Sequence, residues 1–275
     1  MPDVSAHLAQ LKDLGYCIVS DVIPGAEVSR IRQHVIDGTA AATEEYESTG
    51  GMLGRQRTAD DQPGRNAVAY VPKLAPYLGS GRVLEVARGA LDPKIRIAQI
   101  EFKTRPANDD KSDFRSWHTD WLHDLYDRDR AGRIRQPFPD VTMCLSTLWM
   151  LSPFSAENGG TWIVPKSHRN ARNPRGEHDG MDEYSKLTGE IQIEAPAGSV
   201  LIMDTRMWHS NANNPSQDPR VCVVVRYAPW WLSAEYGGRN QSIIPAESFD
   251  ALSPAVQTLF RHRAEHADAR DVSAL

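Results

Sequence analysis

Residues 199–228, SVLIMDTRMWHSNANNPSQDPRVCVVVRYA, hold two short runs rich in β-branched and apolar side chains, SVLIMD and RVCVVVRYA, on either side of a polar connection. Runs this short, bounded by turn formers, predict strands of an antiparallel sheet. VCVVV is continuous, which marks a strand buried on both faces. The same grammar extends backwards over KIRIAQIEF (94–102), VTMCLSTLWML (141–151), TWIVP (161–165) and IQIEA (191–195). The strands follow one another without the helical segments that alternate with strands in a parallel α/β sheet. They predict a mainly β fold with flanking helices, a double-stranded β-helix of the jelly-roll or cupin-like type.

Upstream the pattern is helical. Leu8, Leu11 and Leu14 recur at helical spacing up to Gly15, and a short strand follows at 16–20. Beyond Pro24-Gly25, the positions Val28, Ile31 and Val35 mark one face of a second helix. Residues 48–66 are polar and turn-rich and read as a loop, a third helix is predicted over 81–91, and a closing helix over about 247–266. No internal repeat or low-complexity linker divides the chain. Residues 1–275 therefore read as one domain, helical over about 1–93 and β-helical over about 94–232, before the terminal helix. Insertions at 104–117, 121–139 and 166–188 separate the strands, and loops of that length are where a substrate is expected to be gripped.

Composition removes several function classes. The 275 residues are 40% hydrophobic and 24% charged, a globular balance with enough apolar mass for a sizeable core. Lys and Arg number 31 against 36 Asp and Glu, and the resulting net charge of −5 offers no bulk attraction to nucleic acid or anionic membrane. No stretch reaches the roughly 18 consecutive apolar residues of a membrane span. The opening MPDVSAHLAQ lacks the basic-then-apolar plan of a secretory signal, so a cytoplasmic protein acting on a small molecule is expected. Cys17, Cys144 and Cys222 each sit in an apolar run, where the thiol behaves as a small core hydrophobe; a disulfide framework or Cys-based zinc site is not expected. The oligomeric state stays open.

Two of the nine histidines begin a His-x-Asp triplet, at 118–120 and at 266–268. His266 lies in the charged segment RHRAEHADARD, which reads as a solvated helix end. His118 stands in FRSWHTDWLHDLY, just after a strand and a loop. On extended backbone, residues two apart point to the same side, so His118 and Asp120 can clamp one metal ion. A third ligand must come from a distant strand, and His209, 91 residues later, is the candidate. Two imidazoles and one carboxylate describe the facial triad of non-haem Fe(II) oxygenases, which leaves open positions on the metal. Arg220 falls 11 residues after His209 and opens the next strand. It either faces back into the barrel, where a guanidinium can grip the far carboxylate of a 2-oxo acid, or pairs with a surface acid such as Asp218.

The set HTD (118–120), SAENGGTWIVPKSH (155–168), AGSVLIMDTRMWHSN (197–211) and Arg220 resembles, in order and spacing, the phytanoyl-CoA dioxygenase family. LKDLGYCIVSDVIPGAEVSRIRQHV resembles that family's opening, so the resemblance spans roughly residues 8–232. It implies Fe(II) held by His118, Asp120 and His209, with 2-oxoglutarate and O2 as cosubstrates. It implies oxidation, as hydroxylation, of an unactivated C–H of a small molecule, with release of succinate and CO2. Arg220 would hold the distal carboxylate of 2-oxoglutarate, assisted by Asn211, where the family often has Ser or Thr. Gln99 lies where the family places a polar contact to the 2-oxoglutarate head; the alternative is an ordinary exposed strand face. Thr161 sits near the site, with core packing as its other reading. The presence of Asp120 argues for oxygen transfer over halogenation.

Other residues carry weaker signals. Trp121, just beyond the Asp ligand, is placed on the wall of the substrate pocket. Trp149 and Trp162 read as packing residues, and His168 as a turn cap or a ligand of structural water. His123 in HTDWLH lacks the further His or Cys of a hydrolytic zinc site. Arg128, Arg130, Arg133 and Arg135, interleaved with Asp, read as a salt-bridged surface, with anionic-substrate recognition as the rival. The competing reading of the whole chain is a non-catalytic jelly-roll module that binds a metal or ligand.

Overall fold

A computed structural model describes residues 3–49, 67–79, 81–108, 115–120, 140–170, 172–175, 182–232 and 244–264. Helix α1 (Val4–Leu14) stops at Gly15, whose φ of 84° lets its N–H cap the Leu11 carbonyl. A Cβ there would lie 2.4 Å from His168 Nδ1 and 2.5 Å from the Met207 methyl, so both the turn and the packing demand glycine. Strand β1 (Tyr16–Val19) follows, and then α2 (Gly25–Thr49). This helix takes in residues 48 and 49, which the sequence places in a loop. Short turns α3 (Ala67–Tyr70) and α4 (Ala75–Leu78) precede α5 (Gly81–Ala90), the helix predicted over 81–91.

Strands β2 (Ile95–Phe102), β3 (Leu145–Met150), β4 (Trp162–Ile163), β5 (Ile191–Gln192), β6 (Val200–Asp204), β7 (His209–Ser210) and β8 (Cys222–Pro229) complete the described β elements. They form two antiparallel sheets, one ordered β1-β6-β3-β8-β2 and the other β5-β4-β7. Six runs foreseen from residue 94 onward each coincide with one of these strands, β8 reaching one residue further, to Pro229. Strand β7, with only two residues, shows no sequence periodicity to find.

Alternation along the strands divides the core. Val221, Val223, Val225 and Tyr227 pack with Leu11, Ile31, Val35 and Val86 of the helices. Cys222 and Val224 face the other way, with Leu148, Met150, Leu201 and Met203, onto Phe154, Ile163 and Ile193 from the side of the second sheet. VCVVV is continuous because both its faces are covered, as its reading required. In β2 a register shift between Ile97 and Gln99 keeps Ile97 and Ile100 on the helix side. The same bulge puts Gln99 opposite Arg226 on β8.

The closing helix differs from expectation. It is broken into α6 (Ala246–Asp250) and α7 (Pro254–Phe260), with a 3-10 turn at Arg261–Arg263. Ser253 is extended (φ −63°, ψ 152°), the conformation that the ring of Pro254 imposes on the residue before it. All three cysteines are buried and free. Among the described residues no helix is long and apolar enough to cross a membrane.

Candidate metal centre

His118 and His209 face each other across an antiparallel bridge and exchange both backbone hydrogen bonds, at 3.0 and 2.9 Å. Their ring centroids are 4.2 Å apart. Each Nδ1 lies beside a backbone carbonyl two residues earlier, Ser116 O at 2.9 Å and Met207 O at 3.0 Å. An Nδ1–H donating there fixes the tautomer and leaves Nε2 as the ligating nitrogen. Asp120 is anchored by its backbone N–H, which donates to Thr205 O at 2.8 Å. Its Oδ1 stands 3.5 Å from His209 Nε2, near the roughly 3 Å expected between adjacent ligands of one ion. One ligand atom from each of the three residues falls within 4.8 Å of the others. Two imidazole nitrogens and a carboxylate oxygen, converging in a buried place, fit one divalent transition metal.

Electrostatics prepares the protonation states that ligation needs. Burial, with the neighbouring His209 behind it, pushes the His118 imidazole well below its ordinary value, so the ring is neutral at pH 7. Burial alone would raise the Asp120 carboxyl. The Arg226 guanidinium, followed by His209, outweighs that and holds it well below the usual carboxylate range. Neutral His and ionised Asp are the forms that bind a metal without first losing a proton.

Arg226 was not anticipated. Its Nη2 donates to Asp120 Oδ1 at 2.7 Å, its Nη1 to Gln99 Oε1 at 2.5 Å, and its Nε to Ser146 Oγ at 3.2 Å. Ser146 Oγ in turn donates to Asp120 Oδ2, and Gln99 Nε2 to Glu101 Oε2 at 3.0 Å. Strand parity was the available signal. Residues 222, 224 and 226 share one face of β8, and that face points into the barrel.

Arg220 is 1% exposed, and its guanidinium carbon sits 4.6 Å from the centre of the Phe154 ring. It is inside the barrel, while Asp218 is exposed. Thr161 is buried beside β4, its carbonyl accepting the Ile193 N–H at 2.9 Å. Asn211 is half-buried immediately after β7. Gln99 lies on the barrel side of β2, engaged with Arg226 and Glu101 and not on an exposed face. Trp121, His123, His266 and the arginines at 128, 130, 133 and 135 lie outside the described residues. Trp149 is fully buried, whereas Trp162 lies under the Arg115 guanidinium at 3.7 Å. His168 is buried against Gly15, and burial first of all lowers its pKa.

The glycine pair of SAENGG has a steric explanation. Gly159 has φ 77°, and a Cβ on it would lie 1.9 Å from Asn213 O; one on Gly160 would lie 2.1 Å from Ile193 O. The bare backbone is what allows the segment before β4 to press against the chain beyond His209.

A jelly roll with two histidines and an aspartate converging between its sheets has the build of a non-haem iron oxygenase. The chain belongs to the phytanoyl-CoA dioxygenase family, whose model matches residues 11–222. It is thus an oxygenase of the iron and 2-oxoglutarate type. Among characterised sequences it is similar to dioxygenase af480 of Aspergillus fumigatus, 24% identical over 94% of this chain and 76% of that protein. It is also similar to dioxygenase andF of Emericella variicolor, 27% identical over 53% of this chain and 47% of that protein. Among solved structures, HygX from Streptomyces hygroscopicus, with nickel and 2-oxoglutarate bound, aligns with a TM-score of 0.60 at 16% identity, covering 83% of this chain and 88% of that one. EctD from S. alaskensis, with bound Fe, aligns with a TM-score of 0.60 at 18% identity, covering 82% and 76%. At such identities these two likenesses speak for the fold.

Proposed function

We propose that this protein is a 2-oxoglutarate-dependent dioxygenase that hydroxylates an unactivated C–H of a small-molecule substrate, releasing succinate and CO2. The observation that carries the reading is the convergence of His118, Asp120 and His209, with Arg220 buried in the same barrel. His118, Asp120 and His209 would hold Fe(II). When bound, the iron and 2-oxoglutarate supply the oxidising power drawn from O2.

The chain's own contribution is binding, orientation and exclusion of water. A divalent ion with one carboxylate carries a net charge of +1, and the 2-oxoglutarate dianion makes it −1. Arg220 restores neutrality at the distal carboxylate, where an uncompensated buried charge is costly. Asn211 would supply an amide donor to that carboxylate, and Gln99 and Thr161 would add contacts to the cosubstrate. Trp121, outside the described residues, would be a substrate contact. A cytoplasmic location and a substrate unrelated to nucleic acid or membrane complete the reading.

Anaerobic titration of the metal-free protein with Fe(II) and then 2-oxoglutarate tests it. The expected result is the weak visible charge-transfer band of the chelate, lost in His209→Ala. A folded protein that gives no band would favour the non-catalytic binding module.

A further inference from the structure

Arg226 is an arginine on the barrel-facing side of a strand, beside a site whose ligands must accept a cation. A fixed positive charge 2.7 Å from a carboxylate oxygen proposed to bind a metal opposes the cation by simple Coulomb repulsion. Its geometry gives the physical reason for its presence. Each carboxylate oxygen has two lone-pair directions. On Asp120, one direction of Oδ1 is taken by Arg226 Nη2, and Oδ2 receives the Ser146 hydroxyl. Ser146 is itself held by Arg226 Nε at 3.2 Å. Rotating the carboxylate about Cβ–Cγ breaks both bonds at once.

We propose that Arg226 is a positioning residue that, with Ser146, locks the Asp120 carboxylate so that it offers the metal one oxygen only. The inference rests on the metal-centre reading and deepens it. An unrestrained carboxylate can swing to bind through both oxygens and occupy a coordination position that the cosubstrate or O2 requires. The locked carboxylate keeps that position open. The positive charge is itself balanced: Arg226 donates to Gln99 Oε1, and Gln99 Nε2 donates to the buried Glu101 carboxylate, so charge and hydrogen bonds alternate along one row. The bulge before Gln99 is what aims this row into the barrel. Outer partners of metal ligands commonly change metal affinity by about 10–100-fold when removed.

The test is anaerobic Co(II) titration of the full chain, reading both affinity and the visible d–d bands, whose intensity reports coordination number. Arg226→Gln is expected to weaken Co(II) binding by about 10–100-fold and to alter the band intensity. Arg226→Lys, which can return one donor to Oδ1 without the fork, should recover affinity in part but not the wild-type spectrum. Ser146→Ala removes the restraint on Oδ2 alone and should change the spectrum; it carries the test if the Arg226 variants fail to fold. Folded Arg226→Gln or Ser146→Ala protein with wild-type affinity and bands would overturn the inference. Wild-type protein that binds no Co(II) would overturn the metal-centre reading and the inference with it. Wild-type binding alongside an unaltered variant sinks the inference alone.

Discussion

His118 and His209 are directly opposed partners in one antiparallel bridge, each backbone N–H donating to the other's carbonyl, with ring centroids 4.2 Å apart. A pair of candidate ligands 91 residues apart in sequence thereby becomes two neighbours on a single rung. The rung is continuous with the small sheet, since Ile163 on β4 pairs with His209 on β7. Side chains are not needed to form it, so ligand variants here separate loss of chemistry from loss of fold.

Asp120→Ala is expected to abolish 2-oxoglutarate turnover while the protein stays folded. The metal-free variant should nevertheless lose about 3 kcal/mol, because Arg226 is left buried beside a missing carboxylate. Urea unfolding of the metal-free proteins measures this. Arg226→Met in the Asp120→Ala background should recover part of the loss.

Arg220→Ala removes a buried cation proposed to meet the distal carboxylate of the cosubstrate. Truncating one side of a buried charge pair costs about 2–5 kcal/mol. The KM for 2-oxoglutarate should therefore rise at least about 30-fold, with a much smaller effect on kcat at saturation. Succinate release at varied 2-oxoglutarate is the assay, and an unchanged KM would remove Arg220 from the cosubstrate site.

Gly159→Ala combines a left-handed φ of 77° with a Cβ placed 1.9 Å from Asn213 O. Backbone strain of this kind costs about 1–3 kcal/mol before any clash is counted, so a loss of at least about 3 kcal/mol or insoluble protein is expected. Gly25→Ala has nothing within 4 Å of the new methyl group and is the matched control. Its stability should stay within about 0.5 kcal/mol of wild type. Chemical denaturation of both variants compares them.

His262 predicts an acid-sensitive fold. Burial, and then Arg96 and Arg263, lower its pKa to about 3, and among the described residues neither ring nitrogen has a hydrogen-bond partner. The unfolded chain takes up this proton near pH 6.5 and the folded chain does not. The contribution is complete above about pH 6.5 and is lost as pH falls towards 3. Its limiting slope is about 1.4 kcal/mol per pH unit. His262→Phe should flatten the fall in Tm between pH 7 and 5 by about one proton's worth. An identical pH dependence in wild type and variant would show that this ring titrates normally.

Strand periodicity in KIRIAQIEF, SVLIMD and RVCVVVRYA was enough to predict the jelly roll, because alternation and burial follow directly from which side chains avoid water. The candidate ligand set was legible for a related reason: a His-x-Asp on extended backbone puts two donors on one side whatever surrounds it. The terminal helix was misread where Pro254 breaks it, although proline is a local signal, since the periodic apolar residues on both sides masked the interruption. Only the tertiary structure decided three other things. The two-residue strand β7 exists because its partner strand is there, not because its residues prefer it. The bulge at Ala98 turns Gln99 and Glu101 towards Arg226 instead of the helices, a register choice that lies between strands. Arg226, Ser146, Gln99 and Glu101 become one hydrogen-bonded row around Asp120 only when three strands meet. Sequence determines what each residue can do from local chemistry, whereas partnership between residues far apart in the chain is set by packing, which no local pattern encodes.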